Sequence, residues 1–359
     1  MITRRALLAG GGSLALGRPG QAGPAAVDTS LAALAAAKGL VFGSAAASYE
    51  LRDGDFAALL PRQVAQVASE YEMNRKILEP RPGAHDFSGL DKLFAFASRN
   101  GLSLRGTPLV WYAVNPPWLS DALAAKRDPR LMTGHIDRVM RRYRLRSVDV
   151  VNEAIAPDGN GLRPSLWLGA FGPSYVDMAF HAARAADPSA LLVYNDWGCE
   201  QGAAHNDRFR AATLRFLDGL LARRVPVDAL GLQGHLAAFG PHVDQRKLSA
   251  FLQEIEARGL QLLVSELDVE DSGGPSDAAA RDRAVADEAR RFLDVVLDSR
   301  ATRSLLTWGL SDRYLDPPDD WKLKLAGWKG RKLPYDRGLT RKPLWEAIAA
   351  SLAARRVAY

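Results

Sequence analysis

The sequence is poor in cysteine, and several common site motifs are missing. Cys199 is the single cysteine in 359 residues, which excludes an internal disulfide framework and any multi-cysteine metal site. The six histidines, His85, His135, His181, His205, His235 and His242, are dispersed, and no two stand at ligand spacing on one element. Metal catalysis is therefore not expected, and no metal or cofactor is assigned. No Gly-x-Gly-x-x-Gly follows a predicted strand, and no Gly-x-Ser-x-Gly elbow occurs, which argues against dinucleotide chemistry and a serine hydrolase. Nothing approaches the roughly 18 uninterrupted apolar residues of a membrane span. The net charge of +6 is modest and evenly spread, so nucleic acid is not an expected partner.

What is present is the mix of a globular chain, 47% hydrophobic and 25% charged, with ample material for a buried core. The first residues read as an address. Arg4-Arg5 precede an apolar run from Leu7 to Leu16, and small residues follow near Ala22 to Ala26. Residues 1–26 resemble a twin-arginine export signal, so a periplasmic or secreted protein is expected, with 27–359 as one catalytic domain. A frayed basic terminus is the alternative.

Beyond Leu34, short apolar runs alternate with amphipathic stretches. Strands are predicted at Gly39–Ala45, Tyr71–Met73, Leu102–Tyr112, Ser147–Glu153, Ala190–Trp197, Val227–Leu236, Leu260–Val269 and Arg303–Asp312. Runs such as Leu262-Leu263-Val264 are continuous rather than alternating, as in strands buried on both faces. Helices are predicted at Phe56–Ser69, Leu90–Asn100, Gly134–Arg144, Tyr175–Ala186, Asp207–Arg223, Arg246–Arg258, Ala278–Asp298 and Pro343–Ala354. Eight strands alternating with about eight helices predict an α/β fold, a closed (β/α)8 TIM barrel.

In such a barrel, chemistry sits at the C-terminal strand ends. Those ends carry Trp111-Tyr112, Asn152-Glu153, Asn195-Asp196-Trp197, Gln233-Gly234-His235, Glu266-Leu267-Asp268 and Trp308. Polar and indole groups gather at one rim, which reads as a site. Glu153 and Glu266 each follow an apolar strand and lie three βα units apart, so they can face each other across the barrel mouth. Two carboxyl groups flanking a scissile bond are the equipment of glycosidases, one held protonated and the other ionised. Asn152 and His235 can supply hydrogen bonds that separate those roles. The plainer alternative is two structural glutamates, each bridged to an arginine. Indole faces suit the flat C–H faces of sugars, so Trp111, Trp308 and Trp321 or Trp328 are candidate platforms. Trp118, Trp167 and Trp345 read as core.

At these residues the chain resembles glycoside hydrolase family 10, the retaining endo-β-1,4-xylanases, over about residues 39 to 350. The motifs are Asp149-Val150-Val151-Asn152-Glu153-Ala154, Gly231-Leu232-Gln233-Gly234-His235-Leu236, Ser265-Glu266-Leu267-Asp268-Val269 and Trp308-Gly309-Leu310-Ser311-Asp312. Asn195-Asp196, Pro116-Pro117-Trp118 and Lys342-Pro343 add to them. The resemblance implies Glu153 as general acid/base and Glu266 as nucleophile in a double displacement, which needs carboxyls about 5–5.5 Å apart. It implies that Asn152 binds the sugar 2-hydroxyl and that His235 orients Glu266, with Asp268 behind it. Asn195 is a further supporting residue, Gln233 lies near the acid/base, and Trp308 floors the reacting subsite. Glu70 and Trp111 complete the expected substrate contacts.

The departures fall on the glycone side. The family usually reads Glu-Asn-Glu-Met-Lys where this chain has Glu70-Tyr71-Glu72-Met73-Asn74. Tyr112, Val114 and Thr107 replace a usual histidine, glutamine and histidine, and Leu315-Asp316 replaces Ser-Trp. Lost hydrogen bonds to substrate hydroxyls can change preference by orders of magnitude. The expected partner is a polysaccharide or oligosaccharide, and nothing demands more than a monomer. Plain xylan leads as substrate. Another β-linked glycan, such as an exopolysaccharide, a plant glycoside or an acid-decorated polymer, is the same-class rival, and a non-catalytic glycan-binding barrel is the rival from another class.

Overall fold

A computed structural model describes residues 29–315 and 329–356. The export segment expected at 1–26, Asp316, Trp321 and Trp328 lie outside the described residues.

Ten strands occur among the described residues: β1 (Val41–Ala46), β2 (Gln66–Ser69), β3 (Ser103–Gly106), β4 (Val110–Trp111), β5 (Ser147–Asn152), β6 (Leu191–Asp196), β7 (Ala229–Leu232), β8 (His235–Ala237), β9 (Gln261–Glu270) and β10 (Thr302–Thr307). All pair in parallel, in the order β10-β1-β2-β3-β5-β6-β7-β9, and β9 pairs with β10 to close the ring. The short β4 and β8 pair with β5 and β9 respectively and carry the third and sixth barrel strands on toward the C-terminal rim. The result is the expected eight-stranded (β/α)8 barrel in one domain.

One expected strand is corrected. Tyr71–Met73 lies in a turn, and the second barrel strand is Gln66–Ser69. That stretch had read as the end of the helix predicted over Phe56–Ser69, which in fact runs Gly54–Gln63. All four residues of β2 are buried, yet only Val67 and Ala68 are apolar. Neither alternation nor a continuous apolar run marks it, so the usual strand signals fail. The predicted strands Leu102–Tyr112 and Val227–Leu236 are each broken into two, and the breaks hold Thr107, Pro108, Gln233 and Gly234.

The helices begin where the sequence supplies caps. The side chains of Ser30, Asp53, Ser165, Asp244 and Asp277 each accept from a first-turn N–H, which satisfies donors that a helix start leaves open. Apolar faces of these helices pack on the outside of the barrel in one large core cluster. A separate small cluster, Val193, Ala229 and Leu263 with Leu191 packed against it, lies in the lumen. The period of two puts Leu191, Val193 and Asn195 on the same face of β6. Deeper polar contents include a buried ion pair, Arg105 to Asp149 at 2.7 Å, joining β3 to β5. Burial raises the Asp149 carboxyl to about 6, against the pull of Arg105, and the nearby charge of Glu266 adds to the rise.

Candidate active site

The C-terminal rim encloses a cavity of about 440 Å³, lined by Glu70, Tyr71, Asn74, Thr107, Pro108, Trp111, Val114, Asn152, Glu153, Gln233, His235, Glu266 and Trp308. Glu70, Trp111, Asn152, Glu153, Gln233, His235, Glu266 and Trp308, all proposed from sequence, lie on that lining; the other candidate platforms, Trp321 and Trp328, are outside the described residues. Asn195 and Asp268 stand behind it, each one hydrogen bond away.

Each side chain is delivered by a strand end. Asn152 closes β5, and Glu153 follows with φ of +53°. A non-glycine residue in the left-handed region is strained by about 1–3 kcal/mol, and such residues concentrate at functional sites. The turn there lets the Glu153 N–H bond to the Asn195 carbonyl at 2.9 Å, while its side chain enters the cavity. Gln233 and His235 flank Gly234, whose φ of +78° makes the break between β7 and β8. Glu266 and Asp268 are alternate residues of β9, so they share a face.

Amide groups link the two carboxyls. Glu153 Oε1 accepts from Asn152 Nδ2 at 3.2 Å and from Gln233 Nε2 at 3.2 Å. Asn195 Nδ2 donates to Asn152 Oδ1 at 2.9 Å and to Glu266 Oε1 at 2.7 Å. Ser265 Oγ donates to Asn195 Oδ1 at 2.7 Å, fixing which end of that amide faces Glu266. Glycine at 231 is required beside it, because a Cβ there would come within 2.2 Å of Asn195 Oδ1.

The other oxygen of Glu266 meets a charge relay. His235 Nε2 lies 3.3 Å from Glu266 Oε2, and His235 Nδ1 lies 2.8 Å from Asp268 Oδ1. Lys332 Nζ donates to Asp268 Oδ2 at 2.6 Å. Burial works against the imidazolium, but Asp268 and Glu266 outweigh it and hold the His235 pKa well above its ordinary value. Burial likewise opposes the Asp268 charge, yet His235 and Lys332 bring that carboxyl down to about 2. The row Lys332, Asp268, His235, Glu266 thus alternates in sign.

Sequence reasoning missed Arg163, Ser265 and Lys332. Arg163 Nε donates to the Glu153 carbonyl at 3.1 Å, its Nη2 stands 3.6 Å from Glu153 Oε2, and its guanidinium lies 4.3 Å over the Tyr112 ring. It sits ten positions beyond Glu153 in an irregular loop, and no periodic signal could have found it. The donors that hold Trp167 and Trp118 are satisfied by the carbonyls of Trp111 and Glu79, in keeping with packing roles. Trp111 Nε1, by contrast, is buried with no partner among the described residues, in a side chain that lines the cavity. All large hydrophobic side chains exposed among the described residues (Tyr49, Tyr71, Ile77, Tyr112, Val114, Trp197 and Phe239) follow the C-terminal ends of strands. These exposed rings and branched side chains therefore gather at the rim that holds the carboxyls.

The family model for glycosyl hydrolase family 10 matches residues 30–351. The chain belongs to glycosyl hydrolase family 10. By sequence, this family 10 member is 30% identical over 298 residues to endo-1,4-beta-xylanase 1 of Humicola insolens, covering 81% of this chain and 66% of that one. It is 30% identical over 327 residues to endo-1,4-beta-xylanase C of Phanerodontia chrysosporium, covering 89% and 78%. Among solved structures, native xylanase 10B from Thermotoga maritima superposes with a TM-score of 0.79 at 26% identity, covering 90% of this chain and 98% of that one. Xylanase 10B from Thermotoga petrophila, solved with xylobiose, gives the same TM-score and identity over 90% and 97%. The chain is thus a glycoside hydrolase of xylanase-like build.

Proposed function

We propose that the protein is a retaining endo-β-1,4-xylanase, with Glu153 as general acid/base and Glu266 as nucleophile. The observation that carries this reading is the asymmetric support of the two carboxyls across one cavity. Glu266 is held on both oxygens, by Asn195 and by a cationic His235, an arrangement suited to a carboxylate that attacks the anomeric carbon and later departs from it. Glu153 takes two neutral amides on Oε1, while Oε2 has the Arg163 guanidinium at 3.6 Å, beyond hydrogen-bond reach, and is the oxygen that faces the glycosidic oxygen.

In the first step Glu153 protonates the leaving oxygen while Glu266 forms the glycosyl ester. In the second, Glu153 takes a proton from water as that water displaces Glu266. The imidazolium of His235 faces Glu266 Oε2 and steadies that side chain at both ends of the sequence. Asn152, held through Oδ1 by Asn195, meets the sugar 2-hydroxyl, and the unpaired Trp111 Nε1 serves a second hydroxyl. Trp308 provides the floor. Exposed aromatic side chains on several rim segments suit a polymer lying across the mouth, hence endo action.

A second reading, a related β-linked glycan as preferred substrate, is favoured by one set of residues. Tyr71, Asn74 and Val114 line the cavity where the family commonly places Asn, Lys and Gln. We further propose that residues 1–26 direct twin-arginine export and that the enzyme acts outside the cytoplasm as a monomer. Identifying the mature N-terminus of exported protein tests the first part.

The substrate is tested by product analysis on plain xylan, glucuronoxylan, mixed-linkage glucan and an acidic exopolysaccharide, with Glu266→Ala alongside. Xylo-oligosaccharides released by the unaltered enzyme alone support the first reading. Cleavage of another polymer and not of xylan supports the second. Silence on all four overturns both.

A further inference from the structure

A second cavity, larger than the one at the catalytic rim, lies at the opposite, N-terminal mouth of the barrel. It has a volume of about 670 Å³ and takes in residues at or near the start of seven barrel strands. We propose that this mouth binds a small hydroxylated anion, a sugar acid or sugar phosphate.

Three observations carry the proposal. The first is charge. Arg144, Arg146 and Arg303 line the cavity, and no carboxylate does so among the described residues. None of the three forms an ion pair among the described residues. Arg303 Nη1 is occupied only by the carbonyls of Arg300 and Thr302. Arg144 acts on Asp187, but that carboxyl is already tied to Ser189 and is lowered mainly by it. Near Arg303 stands a further guanidinium, Arg355, with Asp298 acting on it as well. Its Nε and Nη1 are buried without partners. A concentration of guanidinium groups this poorly compensated has the fork geometry that takes carboxylate or phosphate oxygens in pairs.

The second is unsatisfied buried polarity. Gln66 and Ser304 line the cavity and are 1% and 5% exposed. Gln66 Nε2 donates to Ser103 Oγ at 3.3 Å, but Gln66 Oε1 and Ser304 Oγ have no partner among the described residues. The Ser304 hydroxyl can donate to an anion, whereas Gln66 Oε1 only accepts and calls for a donor. A bare oxyanion supplies none, whereas a hydroxylated one does. The third is the lumen layer itself. The interior of such a barrel is normally filled by branched apolar side chains. Here its lowest layer holds Gln66, Ser103, Ser147 and Ser304 and leaves a space of the size usual for small-molecule sites. No aromatic ring lines it among the described residues, so these give it no stacking surface of the kind a polysaccharide cleft has, and the ligand is a monomer-sized one.

The proposal is independent of the catalytic reading, since the two mouths lie at opposite ends of the strands. It is tested by calorimetric titration of the full chain at fixed ionic strength with D-glucuronate, glucose 6-phosphate, glucose and inorganic phosphate. An Arg146→Gln/Arg303→Gln variant runs alongside, its fold checked by its melting profile. The expected result is saturable one-to-one binding of at least one hydroxylated anion, weakened tenfold or more in the variant, with no binding of glucose. Preference for glucuronate or for glucose 6-phosphate identifies the carboxylate or the phosphate as the recognised group. Three results overturn the proposal: no saturable binding of either hydroxylated anion, affinity unchanged in the variant, or inorganic phosphate binding as tightly as both.

Discussion

Asn195 Nδ2 stands between the two halves of the catalytic cavity, donating to Asn152 on one side and to Glu266 on the other. At the residue scale the account therefore separates the two glutamates by what each loss does. Glu153→Ala is expected to lower kcat on a polysaccharide by about 10²–10⁴-fold, the usual worth of a general acid. On an aryl glycoside whose leaving group needs no proton, kcat/KM falls far less, while kcat stays low because the second step lacks its base; added azide, which needs no base, restores kcat and yields a glycosyl azide of retained configuration. Glu266→Ala loses turnover on both substrates. Steady-state kinetics with the two substrate types distinguish these patterns.

His235 supplies a pH signature. Its pKa in the folded chain lies well above the ordinary value of 6.5, so its bonds to Asp268 and Glu266 stabilise the fold fully below 6.5. That contribution fades as pH rises through the elevated value. Asp268, brought down to about 2, stays ionised throughout the range in which His235 titrates. The stability difference between the wild type and His235→Asn is therefore expected to be largest at mildly acidic pH and to shrink in alkali. Urea unfolding across that pH range measures it, and a difference that grows with pH contradicts the assignment.

At the scale of elements, the strands fix side chains by how closely they approach one another. β7 can lie against Asn195 only because residue 231 has no side chain. Gly231→Ala is expected to displace Asn195 and break its bond to Glu266, a charged hydrogen bond whose loss costs about 1.5–3 kcal/mol, or about 10–150-fold in kcat. The expected readout is a fall in kcat larger than the change in KM. Unchanged kcat would mean that Asn195 does not support the nucleophile. Most of this was legible before the structure. Apolar runs marked β5, β6, β9 and β10; those of β5, β9 and β10 lead into Asn152, Glu153, Glu266 and Trp308 on the cavity lining, and that of β6 leads into Asn195 just behind it. The misses have physical causes. β2 is four buried residues with two polar side chains, too short and too mixed for any periodic signal. Arg163 and Lys332 reach Glu153 and Asp268 from irregular segments, where sequence distance carries no geometric information. The breaks after β3 and β7 are set by local backbone turns, such as Gly234, that hydropathy does not register.

At the scale of the whole molecule, the barrel is closed and then sealed from outside by its helices. The last of them, Pro343–Ala354, packs on the helix Ala278–Val296 and on the first helix, Leu31–Ala36. It buries Leu344, Trp345, Ile348 and Leu352. At about 1.5–3 kcal/mol per large apolar side chain, those four contribute roughly 6–12 kcal/mol, comparable with the net stability of about 5–15 kcal/mol typical of a native domain. A chain ending at Lys342 is expected to lose its cooperative thermal transition, and calorimetry checks this. A sharp transition at the wild-type temperature would show that the helix is dispensable.

The central claim is that Glu266 forms a covalent bond to the sugar. Incubation with a 2-deoxy-2-fluoro-β-xylobioside bearing an activated leaving group slows both steps and slows hydrolysis of the ester most, so the intermediate accumulates. Intact-mass measurement followed by peptide mapping reads the result directly. The account predicts stoichiometric labelling of the peptide that contains Glu266, with the Glu266→Ala protein unlabelled. A label on any other residue, or steady turnover without a trapped species, would contradict it.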